Sequence, residues 1–467
     1  MTALPILRGI VADPNADFRS SLPINYEPVI TDTGISKGYL RATPGITELA
    51  APGMGAGRGG RVWNGVHYRV MGSKLGRLDG TTFTVLGDVG DNGLPVTLDN
   101  SFDRLSIASS QNLYYWDGSA LTQVTDPDLG VVLDQMFLDG RFVTADGSAI
   151  VLTDLNDPYA VDPNDYGSAE VSPDPIVALN HIRGEMNAVG SQTIENFRNV
   201  GGSGFPYQRN PGAFISKGAV GTHAWSYFME TYGFVGMGQN CAPSVWLAGG
   251  GQAVNISTII VDDALAALSP TDLALVEVEA LEWRDEQRLI VHLPDRSLVY
   301  CMEASQLAGE PIWYELRSGS GNDQAFPLRH LTLVNGQWIG DTADGRIGYL
   351  DVTLDTYFGD ARGWQFDTLM LYNESNGGIL NNIELIGLVG YAPVGSQPTA
   401  YLSMTMDGRT WGQEAAISTG ATGERQKRCQ WRPNKRFRNY CGLRFRGSGN
   451  GRSSWARLEA DITGLSA

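Results

Sequence analysis

The chain has 467 residues, of which 34 are basic and 51 are acidic, so its formal net charge is −17. DNA and anionic membrane surfaces repel an acidic protein of this kind, which disfavours general binding to either polyanion. The 58 glycines exceed the roughly 33 expected at a usage of about 7%. This composition predicts many short strands that are joined by tight turns.

The first 50 residues show little periodicity. They are predicted to form an extended N-terminal arm or the strand that closes a ring. Pro5 and Arg8 interrupt the apolar stretch MTALPILRGI, so it lacks the apolar core of a secretory signal. No segment approaches the roughly 20 apolar residues that span a bilayer. We therefore expect synthesis and folding in a cytoplasm, without membrane insertion.

Two-residue turn signals recur along the chain and supply the positive φ values that tight hairpins need. Eight of them are Asp79-Gly80, Asn92-Gly93, Asp117-Gly118, Asp139-Gly140, Asp146-Gly147, Asn335-Gly336, Asp344-Gly345 and Asp407-Gly408. Six or seven hairpin groups fall between residues 55 and 352. Their spacing, about 40 to 50 residues, predicts a β-propeller-like domain of six or seven blades over residues 51–355. A sandwich or a β-helix is the alternative.

Two interruptions of this pattern are expected. Ile260–Leu268 is predicted to be helical, and Ser269 followed by Pro270 predicts the start of a second short helix. Residues 156–175 are rich in proline and in acidic residues, and they are predicted to form a long exposed loop between blades.

Residues 356–467 contain closely spaced apolar segments of strand length, which predicts a C-terminal antiparallel β-sandwich. The fold class is therefore all-β.

Positive charge is concentrated in residues 425–446, which hold nine Lys/Arg and no Asp/Glu. Read as one strand, this segment places apolar residues on one face, namely Phe437, Cys441, Leu443 and Phe445. The other face carries Arg436, Arg438, Tyr440, Arg444 and Arg446. Guanidinium groups bind carboxylates in bidentate fashion, so this row predicts an interface with an acidic protein. A solvated face and a site for single-stranded nucleic acid are the alternatives.

Signatures of catalysis, cofactors and metals are absent from the sequence. The five histidines lack metal-ligand spacing, the four cysteines show no CxxC, and neither a phosphate loop nor GxSxG occurs. We expect no catalytic residues, no cofactor and no metal, with reduced and buried cysteines. The segment from Thr405 to Trp411 approaches the Asp-box turn of sialidases, but it occurs once and lacks one residue. A tight hairpin with Trp411 packed beneath it is the preferred interpretation.

Five segments in a fixed order carry a resemblance: KGYLRATPGI (37–46), GSQTIENF (190–197), LIVHLPDRSLVY (289–300), TMDGRTWG (405–412) and the basic stretch 431–446. Together they resemble the packaged-DNA stabilisation proteins of short-tailed bacteriophages, also called head-completion or tail nozzle proteins. Tyr39 and Arg41, in the first segment, join Arg436, Arg438, Tyr440, Arg444 and Arg446 as candidate interface residues.

The resemblance implies a structural, non-enzymatic protein of the virion tail, made in the host bacterial cytoplasm. Its members form a homohexameric ring below the portal–adaptor, retain packaged DNA, and contact a tail needle or plug and tail fibres or spikes. DNA passes through such a ring without sequence-specific binding, and an acidic wall suits that passage. The alternatives are a propeller glycosidase or depolymerase, which needs a carboxylate pair in the central cleft, and a carbohydrate-binding module, which needs exposed aromatics in a groove.

Overall fold

The structure is a computed structural model that describes residues 1–465, except Glu170, Ser203, Gly250, Asp285 and Ser375. The chain divides into two compact units, each built from separate stretches of sequence. Unit 1 comprises Met1–Thr47, Glu282–Phe326 and Leu350–Ala467, and unit 2 comprises Glu48–Leu281 and Pro327–Tyr349. The domain boundaries predicted at residues 50 and 355 stay a prediction.

Six short strands open the chain: β1 (Thr2–Leu4), β2 (Gly9–Ala12), β3 (Phe18–Ser21), β4 (Tyr26–Val29), β5 (Tyr39–Ala42) and β6 (Gly45–Ala50). β2 pairs with β3, and β4 pairs with β5, both antiparallel. The N-terminal segment is therefore strand-rich, although its sequence shows little periodicity.

Unit 2 contains five successive sheets made of strands that follow one another in the chain. The first holds β7 (Gly57–Trp63), β8 (Val66–Met71), β9 (Lys74–Asp79) and β10 (Thr82–Asp88). The second holds β11 (Thr97–Asn100), β12 (Leu105–Ser109), β13 (Asn112–Trp116) and β14 (Leu121–Gln123). The third holds β15 (Asp134–Leu138), β16 (Arg141–Ala145), β17 (Ile150–Thr153) and β18 (Val161–Gly167).

The fourth sheet holds β19 (Ile176–Ile182), β20 (Glu185–Gly190), β21 (Ile194–Asn199) and β22 (Tyr207–Arg209). A 3₁₀ turn at Pro211–Ala213 follows. The fifth holds β23 (Gly218–Ala219), β24 (Trp225–Phe228), β25 (Thr231–Met237), β26 (Ser244–Gly249) and β27 (Gln252–Asn255). These sheets come from the predicted hairpins: Asp139 and Gly140, for example, have φ values of 52° and 81° in the turn between β15 and β16.

The predicted long loop at residues 156–175 is wrong in part. Val161–Gly167 forms β18, which pairs with β17 at the edge of its sheet. An edge strand tolerates Pro163 and exposed aspartates because one side of its backbone needs no partner strand. Acidic and proline-rich composition therefore did not prevent strand formation.

Both predicted helices are confirmed as α1 (Ile259–Ala266) and α2 (Pro270–Ala274). Ser269 caps α2, because its hydroxyl accepts a hydrogen bond from the backbone N–H of Asp272 at 3.1 Å. β28 (Glu277–Trp283), β29 (Glu286–His292) and β30 (Ser297–Cys301) follow. They precede α3 (Met302–Ala308), a helix that the sequence analysis missed, and then β31 (Trp313–Ser318) and β32 (Gln324–Ala325).

The last elements before the C-terminal domain are β33 (Arg329–Val334), β34 (Gln337–Asp341), β35 (Ile347–Asp351), β36 (Thr356–Tyr357) and β37 (Asp360–Ala361). In unit 2 the first strands of neighbouring sheets lie side by side: β33 beside β7, β7 beside β11, β11 beside β15, and β15 beside β19. This arrangement surrounds the axis of a β-propeller. Together with β28–β32 and β33–β35, these five sheets make seven strand groups between β7 and β35, within the predicted six or seven blades.

The C-terminal domain is a β-sandwich, as predicted. Its strands are β38 (Gly363–Asp367), β39 (Leu371–Tyr372), β40 (Gly378–Tyr391), β41 (Thr399–Thr405), β42 (Ala415–Ser418), β43 (Cys429–Trp431), β44 (Lys435–Phe437), β45 (Tyr440–Ser448) and β46 (Arg452–Gly464). One sheet follows the order β4-β5-β46-β40-β43, with β1 beside β46 and β44 beside β40. The other follows the order β38-β45-β41-β42, with β39 beside β45. Trp364, Phe366, Phe445 and Trp455 are buried in the core of this sandwich.

The cysteine prediction is correct for three residues and wrong for one. Cys301, Cys429 and Cys441 are buried free thiols, whereas Cys241 is free but exposed. Within the described part of the chain, no helix has the length and apolar character that crossing a membrane requires.

Candidate assembly interface

The basic stretch contains three strands, β43, β44 and β45, rather than the single strand that alternation predicted. Phe437 lies in β44, which pairs with β40, whereas β45 pairs with β38 and β41 in the other sheet. The chain bends at Arg438 and Asn439 as it passes between the two sheets. The predicted alternation does hold within β45, where Cys441, Leu443 and Phe445 are buried and the arginines between them are not. Arg436 therefore lies on a strand of the opposite sheet from Arg444 and Arg446, and Arg438 lies in the bend between the two sheets.

Arg444 and Arg446 have carboxylate partners within unit 1. Arg444 makes a bidentate pair with Asp367, with Nε–Oδ1 and Nη2–Oδ2 distances of 2.7 and 2.9 Å. Its guanidinium also lies 3.9 Å from the ring centroid of Trp411. Arg446 binds Glu414 through both carboxylate oxygens, and the hydrogen bond to Glu414 raises the pKa of Arg446. These two charges are neutralised inside the chain, and their role in an interface stays a prediction.

Trp411 forms an antiparallel bridge with Thr405 across the turn that resembled an Asp-box, and its side chain is half-buried. Asp407 organises this turn by accepting hydrogen bonds from the backbone N–H groups of Arg409 and Thr410 at 2.8 and 2.7 Å. Its carboxylate also accepts from the Thr410 hydroxyl, and these bonds hold the pKa of Asp407 well below its usual range. The turn lies in the sandwich, so it follows the hairpin interpretation rather than that of a sialidase blade.

Arg436 and Arg438 are exposed, and so are their neighbours Arg432 and Lys435. None of these four side chains has a hydrogen bond or ion pair with another residue that the structure describes. We name them the basic cluster. Tyr440 is half-buried next to it and makes an edge-to-face contact with Phe18, at 6.4 Å between ring centroids. The basic cluster is the part of the predicted interface with uncompensated charge.

Tyr39 and Arg41 lie on β5, in the same sheet as β44 but separated from it by β46 and β40. Tyr39 is half-buried, whereas Arg41 is only 8% exposed. The Arg41 guanidinium binds Glu27 and Glu286 at 2.8 and 2.6 Å. Burial opposes its charge, but Glu27 and Glu286 outweigh that effect and raise the pKa of Arg41. The geometry gives Arg41 a structural role inside unit 1, and its predicted role at an interface is untested.

Glu27 is the centre of that buried network, which the sequence analysis missed. Its carboxylate binds Arg41 on one side and Arg288 on the other, and the side chain of Glu27 is 2% exposed. Arg288 also binds Glu286. Burial disfavours the Arg288 charge, but Glu27 more than compensates and raises the pKa of Arg288. The charges of Arg41 and Arg288 are thus neutralised by the buried carboxylate of Glu27 and the partly exposed carboxylate of Glu286.

Acidic residues are distributed unequally between the two units. Unit 2 holds 13 basic and 28 acidic residues, a net charge of −15, whereas unit 1 holds 21 and 23, a net charge of −2. Residues 105–182 alone contain 12 acidic residues and one basic residue, Arg141. Arg141 is itself paired with Asp165 at 2.5 Å. Several of these acids are exposed, including Asp117, Asp128, Asp154 and Asp162. We name residues 105–182 the acidic face.

A cavity of about 250 Å³ lies among the first strands of the unit 2 sheets and contains Asp134, His223, Glu277, Glu279 and His330. It is the cleft in which a propeller hydrolase would carry its carboxylate pair. Glu277 accepts from Arg329 at 2.6 Å and contacts His330 at 3.0 Å, and Glu279 accepts from the backbone N–H of Leu331 at 3.1 Å. Both carboxylates are therefore bound by their own chain.

Two other groups in this cavity have shifted pKa values. Burial raises the pKa of Asp134 to about 7 and lowers the pKa of His223 to about 4. Asp134 accepts hydrogen bonds from the Thr97 hydroxyl and the Leu179 N–H at 2.6 and 2.8 Å. In the part of the chain that the structure describes, no group of three or more His, Cys, Asp or Glu residues is arranged to hold a metal ion.

Protonation of His330 makes a pH-dependent contribution to the stability of the folded chain. Its Nδ1 lies 2.6 Å from Oδ1 of Asp341, and Asp341 also accepts from Arg69 at 3.0 Å. Burial alone lowers the pKa of His330, but Asp341 and Glu277 outweigh it and raise the pKa to about 10. Folded His330 is therefore charged at neutral pH.

We expect the free energy of unfolding to fall as the pH rises from about 6.5, the pKa of an unfolded histidine, through about 10, the pKa of folded His330. In this window the folded chain holds a proton that the unfolded chain releases, so a rise in pH favours unfolding. Denaturant titrations across the window measure the slope. His330→Gln is expected to remove part of it, and an unchanged slope in that variant would contradict the assignment.

Two family descriptions match the chain. "Bacteriophage P22 Gp10, beta-propeller" matches residues 2–355, and "Bacteriophage P22 Gp10, beta-sandwich" matches residues 363–463. A curated relative, "Tail hub protein gp10" of Salmonella phage P22, is 28% identical over 463 residues and covers 95% of each chain.

The chain is also weakly similar to solved structures of other proteins. The WD40 domain of Neurospora crassa Pan2 is 10% identical, with a TM-score of 0.41, and the match covers 66% of this chain and 95% of that one. The N-terminal domain of Nup159 is 9% identical, with a TM-score of 0.39, and the match covers 66% and 95%. TM-scores of 0.39 and 0.41 are too low to support a statement about the function of this chain. On its two family matches, the chain belongs to the Bacteriophage P22 Gp10 family, with the β-propeller and the β-sandwich of that family in the same order.

Proposed function

We propose that the chain is a structural protein of a phage tail, a hub or nozzle without enzymatic activity. The match over 95% of the chain to a protein named as a tail hub carries this proposal. It is supported by the central cavity, where the carboxylates of Glu277 and Glu279 are bound to residues of their own chain rather than left free for catalysis.

The proposed assembly is a homohexameric ring below the portal–adaptor. Identical subunits close a ring through two different patches on each subunit. The basic cluster and the acidic face supply two such patches of opposite charge. Charge complementarity of this kind steers association and fixes which surfaces meet. In this proposal the ring retains packaged DNA, forms its exit channel, and contacts a needle or plug and fibres or spikes.

An acidic channel wall suits the passage of DNA. A chain with a net charge of −17 offers the phosphates no general counter-charge, so DNA passes without being held at the wall. The basic cluster then faces the acidic face of a neighbouring subunit rather than the channel.

Electron microscopy of the protein mixed with a portal–adaptor complex tests this proposal. We expect a six-fold ring below the adaptor, and a protein that remains unbound would contradict it. The same preparation, incubated with host surface polysaccharide, is expected to release no sugar. Release of sugar that disappears in a Glu277→Gln variant would instead support the hydrolase alternative.

A further inference from the structure

Two exposed aromatic side chains and one half-buried one lie beside the basic cluster. Phe18 and Tyr372 are 61% and 63% exposed. The half-buried Tyr440 joins them, because it stands opposite Tyr372 across β39 and β45 and its ring centroid lies 6.4 Å from that of Phe18. We name these three residues the aromatic patch. Neighbouring aromatic side chains that remain in water are typical of a protein–protein contact.

The surroundings of the aromatic patch carry a surplus of positive charge. Arg438 precedes Tyr440 by two residues, and its backbone lies against Gly377 in the loop that follows Tyr372. The patch and its surroundings comprise residues 13–19, 372–374 and 432–440. These segments hold five basic and three acidic residues, a net charge of +2. A partner for this surface therefore needs exposed apolar side chains together with negative charge.

One part of the acidic face has both properties. Its exposed apolar residues are Val131, Leu133 and Tyr166. Leu133 lies against the turn at Gly147, and the hydroxyl of Tyr166 donates a hydrogen bond to the backbone carbonyl of Asp128. We name Val131, Leu133 and Tyr166 the apolar patch. Because all three are accessible from solvent, another chain can pack on them.

Three carboxylates surround the apolar patch, those of Asp126, Asp128 and Asp146. Burial raises the pKa of Tyr166, and the three carboxylates raise it further because each lies near its hydroxyl. None of the three forms an ion pair within the described part of the chain. No basic residue occurs in the two segments that carry them, 126–133 and 146–149. The apolar patch therefore has a negative rim, whereas the aromatic patch has a positive one.

We propose that the aromatic patch of one copy packs on the apolar patch of a neighbouring copy of this chain. This inference rests on the proposed ring, and it names the part of each charged surface that meets the other. Apolar side chains then exclude water from the centre of the contact, while the basic cluster faces the aspartates of the rim. Because the two patches differ, the contact is heterologous and repeats around a ring.

Photo-cross-linking of assembled tails tests which segments meet. The photoreactive residue p-benzoylphenylalanine replaces Tyr372, and the tails are made from a mixture of isotopically light and heavy subunits. We expect mixed light–heavy adducts between position 372 and residues 126–133 or Tyr166. The same replacement at Leu307, an exposed apolar residue of α3, is the matched control and should give no adduct with those segments.

The outcomes separate this contact from the proposed ring. A six-fold ring in which position 372 forms no adduct, or adducts only with other segments or other virion proteins, would overturn the contact and leave the ring intact. Failure of the unchanged chain to form a ring would reject the proposed assembly, and this contact with it.

Uncharged variants of the two patches provide a second test. Phe18→Ser with Tyr372→Ser removes the aromatic patch without changing the net charge, and we expect the yield of assembled tails to fall at least about tenfold. Val131→Ser with Leu133→Ser is expected to cause a similar fall. Because both pairs of substitutions act on one contact, all four together should reduce the yield by less than the product of the two separate falls.

Leu307→Ser with Val254→Ser is the matched control for these variants, because both side chains are exposed and apolar and lie outside the two patches. It should assemble as the unchanged chain does, and the melting temperature of each variant establishes that it is folded. Normal yields from both folded patch variants would overturn the proposed contact, as would falls that simply multiply when the four substitutions are combined.

Discussion

A chain that carries Arg436→Glu and Arg438→Glu is expected to fold and to fail in tail assembly. Both side chains are exposed and have no partner among the described residues, so their reversal breaks no internal ion pair. In an assembly that joins the basic cluster to the acidic face, the same change places like charges opposite each other. Like charges at an interface cost several kcal/mol, and we expect the yield of assembled tails to fall at least about a hundredfold.

The measurement is the number of complete particles when the variant replaces the unchanged chain, with its melting temperature recorded separately. Lys37→Glu with Arg409→Glu is the matched control, because both side chains are exposed, neither has an ion pair among the described residues, and the net charge changes by the same amount. Normal particles from the arginine variant would remove the basic cluster from the interface. Equal losses in both double variants would point to net charge rather than to this surface.

Glu27→Gln is expected to lower the free energy of unfolding by about 3–5 kcal/mol, the cost of breaking a buried ion pair on one side. The substitution keeps the shape of the side chain but leaves Arg41 and Arg288 with Glu286 as their remaining carboxylate. The side chains of Arg41 and Arg288 are 9% and 3% exposed, so water cannot replace the lost charge. Urea denaturation followed by circular dichroism measures the change.

A surface pair provides the comparison for that experiment. Glu230 and Arg183 form an ion pair with side chains 88% and 77% exposed. Exposed pairs of this kind contribute at most about 1 kcal/mol, so Glu230→Gln should leave the urea midpoint nearly unchanged. Similar losses in Glu27→Gln and Glu230→Gln would show that burial of the Glu27 network does not matter.

Local turn chemistry made the strands of unit 2 predictable. Asn335 and Gly336, for instance, have φ values of 49° and 81° in the hairpin between β33 and β34. Ser269 and Pro270 likewise specify the start of α2, because a cap and a first-turn proline act on adjacent residues. Signals of this kind depend on neighbours in sequence, so they can be read without knowledge of tertiary contacts.

The basic cluster was predictable only in part. Alternation correctly separated Leu443 and Phe445 from Arg444 and Arg446 within β45. Alternation says nothing about which sheet a strand joins, so the bend after Phe437 was missed. Partners from distant segments, such as Asp367 for Arg444, were equally invisible. Composition identified the charge, but only the fold separates the paired arginines from the exposed ones.

The buried networks lay beyond sequence reasoning for the same physical reason. Glu27 and Arg288 are 261 positions apart in the chain, and Arg69 and Asp341 are 272 apart. Neither residue of either pair has a local signature, because an ion pair requires only proximity in the fold. The sequence analysis therefore assigned no role to Glu27 or Asp341.

Zero-length carbodiimide cross-linking of assembled tails, made from a mixture of isotopically light and heavy subunits, tests the central claim most directly. The reagent joins an amine to a carboxylate in contact with it, and Lys435 is the amine of the basic cluster. We predict mixed light–heavy cross-links between Lys435 and carboxylates of residues 105–182, absent from the unassembled protein. Tails in which Lys435 forms no such link, or links only to other virion proteins, would contradict the account.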